Sequence, residues 1–157
     1  MKEEPILLPP NPEKAASRVA INGVMLASLF VILAVVFLDP DKFKFIAVAQ
    51  MLLSIPFLFV SSLAYSKVGY WKETRLWNAF GYVTLTFGNF FMINAMGLFA
   101  SNISRPLTFT YFGITIVLLL AYSMVQINYR RSVKGQVVKF LFSLIIILAG
   151  GILPMVL

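Results

Sequence analysis

A chain of 157 residues with 60% hydrophobic side chains, 12% charged side chains and a net charge of +7 holds about half the charge of an average soluble domain. That excludes a water-soluble globule, because a domain of this size hides only about 70% of the surface its unfolded chain exposes. Lys and Arg are scattered over short connectors rather than gathered in one module, which excludes a nucleic-acid binder. The absence of cysteine and histidine removes disulfides, thiol chemistry, the usual zinc ligands, His-ligated haem and the usual general base.

In chain order, residues 1–18 form a Pro-rich tail with Lys2, Glu3, Glu4, Pro5, Pro9 and Pro10. No small-residue cleavage pattern follows the first apolar run, so the tail is expected to stay on the mature protein. Asn11, Pro12 and Glu13 read as an N-cap, a first-turn proline and an acid facing the positive helix end, so the first helix should start ahead of its apolar run. Five runs are long enough to cross a bilayer: 19–38, 45–65, 78–100, 107–127 and 137–157. They are too long and too uniformly apolar for barrel strands, and a backbone in lipid must satisfy its own hydrogen bonds. The expected fold is therefore an all-α integral membrane protein, a tail (1–18) followed by one bundle of five transmembrane helices (19–157). Asp39, Pro40 and Asp41 repeat the capping pattern before the second run, Gly69 is a stop for it, and Ser104 or Arg105 ahead of Pro106 starts the fourth.

One side of the bundle receives Lys2, Lys14, Arg18, Lys67, Lys72, Arg75, Arg130, Arg131, Lys134 and Lys139, the other only Lys42, Lys44 and Arg105. The positive-inside rule places the richer side in the cytoplasm, with the N-terminus inside and the C-terminus outside. Tyr70, Trp71, Trp77 and Tyr129 fall at the inner boundary, where an aromatic belt belongs. The plasma (inner) membrane is the expected location.

Helix three carries Gly81, Gly88 and Ala95 at seven-residue intervals with Thr84 between, a small-residue seam along which another helix can approach closely. Gly23 and Ala27 in helix one, and Gly113, Val117 and Ala121 in helix four, form similar stripes. Beside the seam on helix three, Asn78, Tyr82, Thr86, Asn89, Ile93 and Gly97 form a ridge, and helix two offers Gln50, Ser54 and Ser61. Such residues either tie helices together or line a narrow polar path, here Gln50, Ser54, Ser61, Thr86 and Asn89. Pro56 and Pro154 each remove a backbone donor, and Gly150 with Gly151 reads most simply as a fraying helix end. Lys139, near the start of its run, can snorkel to the interface.

The run interiors hold no ionisable group suited to proton relay, a retinal-type Schiff base, voltage sensing or intramembrane proteolysis, so no enzyme, metal site or cofactor is expected. The leading expectation is a non-catalytic accessory or scaffolding subunit, or a self-associating bundle. The alternatives are a passive oligomeric channel or uniporter using the polar path, and an anionic-lipid binder using Arg130, Arg131 and Lys134.

Overall fold

The computed structural model describes residues 11–68, 74–130 and 133–156, with Tyr129 and Arg130 described in backbone only. These residues are helical apart from short connections. Among the described residues, five helices are long and apolar enough to cross a membrane.

Helix α1 spans Pro12–Leu38, and its N-cap is Asn11, whose Oδ1 accepts from the Lys14 N–H at 3.0 Å. Proline in the first turn costs no hydrogen bond, because that donor lacks an intrahelical acceptor anyway. At the other end the Asp39 N–H donates to the Val36 carbonyl at 3.2 Å. The expectation that Asp39, Pro40 and Asp41 cap the second helix is corrected: Pro40–Lys42 forms a separate 3-10 turn, and α2 runs Phe45–Val68. An N-cap side chain reaches only two or three residues ahead, and Asp41 stands four before Phe45.

Helix α3 spans Arg75–Ile103 and α4 spans Arg105–Arg130, with Ser104 alone between them. The Ser104 Oγ accepts from the Leu107 N–H at 3.3 Å, so this serine opens α4 ahead of Pro106. Helix α5, Val133–Ile147, passes into a π-helical turn at Leu148–Ile152 and a last helical turn, α6, at Leu153–Val156. All of the first four helices outrun the apolar stretch that announces them, because flanking polar residues continue the helix past it. Gly69 lies outside the described residues.

The chain divides into two compact units. The first comprises the described residues of Met1–Pro40 and Met51–Phe91. Its inward face on α1 is Ala15, Asn22, Leu29 and Val36, a seven-residue repeat joined by Leu33. Ala15 packs with Tyr65 and Val68, flanked by Val19 and Leu85, and the Phe57 ring lies against Phe87 and Phe91 at 5.8 and 5.5 Å. The second unit comprises the described residues of Asp41–Gln50 and Met92–Leu157. Its core joins Ala47, Leu98 and Met155, with Phe43 edge-on to Phe99 at 5.2 Å. Large apolar side chains such as Val24, Phe30 and Val31 on α1, and Val117, Leu118 and Val125 on α4, face outward.

Candidate functional site

In the first unit, Gly81, Thr84 and Gly88 lie buried against α2. A Cβ on Gly81 would stand 3.2 Å from the Tyr65 ring, and one on Gly88 would stand 2.9 Å from Leu58 Cγ. Small residues here let the two helices approach closely. Thr84 turns its hydroxyl back to the Phe80 carbonyl at 2.9 Å. Ala95, the fourth residue of that seam, is buried in the second unit. Among the described residues Gly23 and Ala27 have no helix packed over them: both are exposed, and a Cβ on Gly23 would meet nothing within 4 Å. The same face of α1 also exposes Ala16 and Ala20. Gly113 on α4 likewise faces open space.

A polar chain ties α1, α2 and α3 together. The Arg18 guanidinium lies 4.7 Å over the Tyr65 ring and donates to the Tyr65 hydroxyl at 2.6 Å and to Asn78 Oδ1 at 3.5 Å. One turn further along α1, Asn22 Nδ2 donates to Ser61 Oγ at 3.2 Å and to the Leu58 carbonyl at 3.4 Å. The Ser61 hydroxyl in turn donates a hydrogen bond to the Gly81 carbonyl at 2.9 Å. Of the residues expected to line a path, Ser61 is therefore an interhelical tie. Ser54 and Thr86 bond carbonyls of their own helices, Met51 at 2.6 Å and Tyr82 at 2.8 Å. Asn89 keeps a buried Oδ1 with no hydrogen-bond partner among the described residues.

The second unit holds the arrangement with most chemical potential, and it is built on Pro154. In a regular helix the Gly150 carbonyl would accept from the N–H of residue 154, which a proline lacks. The backbone widens into the π turn, and the Leu153 N–H reaches back to Leu148 O. Gln50 Nε2, from α2, donates to the Gly150 carbonyl at 2.6 Å. From α3, Asn94 Nδ2 donates to the Ile146 carbonyl at 3.2 Å. Both acceptors are backbone carbonyls, which cannot donate, so the amide orientations are fixed by chemistry.

Those two donations leave Gln50 Oε1 and Asn94 Oδ1 buried without a hydrogen-bond partner among the described residues, on side chains 6% and 1% exposed. They converge on the glycine pair. A Cβ on Gly150 would lie 3.7 Å from Gln50 Oε1 and would collide with Asn94 Nδ2, and one on Gly151 would lie 3.1 Å from Asn94 Oδ1. The Phe112 ring of α4, 1% exposed, closes the cluster by wedging against Gly97 and Gly151, where any Cβ would overlap it. Gly150 and Gly151 are thus packed residues of a built turn rather than a fraying end.

Sequence reasoning placed Gln50 among the polar candidates but missed Asn94, Phe112, Asn22 and the role of Arg18. The one local signal was the proline four residues after Gly150. Lys134 is exposed at the start of α5, whereas Arg131 and the Arg130 side chain lie outside the described residues. Among the described residues no group of three or more His, Cys, Asp or Glu side chains gathers to hold a metal ion. No protein-family model matches the sequence, and no curated protein and no solved structure is significantly similar to it.

Proposed function

We propose that the chain is a multi-pass protein of the plasma (inner) membrane, with its N-terminal side in the cytoplasm, and that it acts without catalysis as an accessory subunit or self-associating bundle. The observation that carries this reading is the outward face of α1, where Ala16, Ala20, Gly23 and Ala27 are all exposed and a Cβ on Gly23 would meet nothing within 4 Å among the described residues. A glycine inside a helix is less favourable than alanine by about 1 kcal/mol, and in lipid the compensating gain comes from close helix approach. Lys134 and its basic neighbours would hold anionic head groups on the cytoplasmic face. The test is the mass of the detergent-extracted complex. The wild-type chain should run with a second copy or a companion membrane protein, and Gly23→Leu should release it; a wild-type monomer without companions would exclude the reading.

A second reading, passive passage of a small solute, is favoured by one observation: Gln50 and Asn89, two of the expected path residues, each carry a buried amide oxygen without a partner. Neutral oxygens of this kind can receive a permeating solute. If that reading holds, vesicles containing the wild-type chain pass small solutes and those containing Asn89→Leu do not, while equal leakage of protein-containing and empty vesicles rules it out.

A further inference from the structure

We infer that Arg18, at the end of the first unit where α1 and α3 begin, binds the phosphate of a single anionic membrane phospholipid. The guanidinium is half-buried, and its partners among the described residues are all neutral: the Tyr65 ring at 4.7 Å, the Tyr65 hydroxyl at 2.6 Å and Asn78 Oδ1 at 3.5 Å. Ring and oxygens hold the group in place without cancelling its charge, and a cation at the edge of an apolar layer is unfavourable unless an anion meets it. Both hydrogen bonds leave from Nη1. The other edge of the planar fork, where Nε–H and an Nη2–H run parallel, donates to no acceptor among the described residues, and that pair matches two oxygens of one phosphate.

The surroundings select both the charge and the source of that phosphate. Lys14 lies one turn before Arg18 on α1, and the exposed Arg75 lies one turn before Asn78 on α3. Helices α2 and α3 carry no Asp or Glu, and Glu13 stands about 140° around α1 from Arg18. A net positive field of this kind favours an anionic head group over a zwitterionic one. The surface next to the fork favours a lipid over free phosphate. On the same flank of α1, Arg18 is followed by Ile21, 54% exposed, and then by the half-buried Met25. A cation leading into apolar side chains repeats the order of head group and acyl chain. The inference rests on the membrane placement proposed above, and on neither the accessory role nor the Lys134 contacts. Resistance of the chain to alkaline carbonate extraction from membranes tests that placement separately.

The test is nuclear magnetic resonance of the full chain in maltoside micelles, which contain no phosphorus, with nitrogen-15 in arginine. Titrating phosphatidylglycerol should shift the Arg18 Nε–H signal and saturate with a single lipid bound per chain. Inorganic phosphate at the same concentration should leave the signal in place, and phosphatidylcholine, whose quaternary ammonium cancels the charge, should bind at least about five-fold more weakly. Arg75→Gln should weaken phosphatidylglycerol binding about five-fold, whereas Lys134→Gln should not change it. Arg18→Lys keeps the charge and loses the fork, so it should abolish lipid retention counted by native mass spectrometry. The inference is overturned by a wild-type Arg18 signal that ignores phosphatidylglycerol, by an equal response to inorganic phosphate or phosphatidylcholine, or by full lipid retention in Arg18→Lys. The wild-type titrations decide the matter even if a variant fails to fold.

Discussion

Phe112 meets two glycines from different helices, Gly97 of α3 and Gly151 of the π turn, and at each a single methyl would overlap its ring. Tight cores resist added carbon more than they resist exchange, because neighbours must leave their rotamers to make room. Gly97→Ala should therefore lower stability by about 1–3 kcal/mol. Phe112→Leu in the same chain should recover part of that loss, because the two positions are in contact and their effects do not add. Gly113, also glycine in an apolar helix, is the control: its Cβ would meet nothing within 4 Å. Gly113→Ala should leave stability unchanged or raise it by up to about 1 kcal/mol through helix propensity. Unfolding in lipid bilayers by steric trapping reads all of these, and a Gly97→Ala chain as stable as wild type would show that the ring moves aside without cost.

The wedge also shows why glycines in one sequence do different work. Gly23 and Gly81 both belong to stripes of small residues at helical spacing, and nothing local distinguishes them. Gly81 packs against Tyr65 and Ala64, while Gly23 faces outward, because the partner that defines the inward face of each helix lies elsewhere in the chain.

At the scale of the element, helix starts were legible because capping is local chemistry: Asn11 and Ser104 both accept the backbone bonds their sequence context implies. The π turn was not, because it depends on an exchange of partners across the chain. Pro154 withholds one donor, and Gln50, 100 residues away, supplies its replacement. Asn94 bonds α5 across 52 residues, a distance at which no periodicity carries information. Pro154→Ala restores the missing N–H and should return the Gly150 carbonyl to its own helix, freeing the Gln50 amide. Hydrogen exchange at the Gln50 carboxamide should then accelerate. An unchanged rate would mean that the proline is not what makes the Gly150 carbonyl available.

For the molecule as a whole, the all-helical architecture and the number of apolar helices were readable from run length alone, since apolar stretches of about 20 residues allow little else. Orientation rests on a different quantity, the ten of 13 basic residues assigned to one side. The absence of native cysteine lets it be measured with single introduced thiols and no background. Asn102 and Lys134 are both exposed, and only α4 lies between the ends of the helices that carry them. In intact cells a membrane-impermeant maleimide should label Asn102→Cys and spare Lys134→Cys, with both reacting once the membrane is opened. The reverse pattern would invert the protein. Labelling of both from the same side would be more consequential, because two positions separated by one crossing cannot share a compartment, and α4 would then have to lie along the membrane instead of through it.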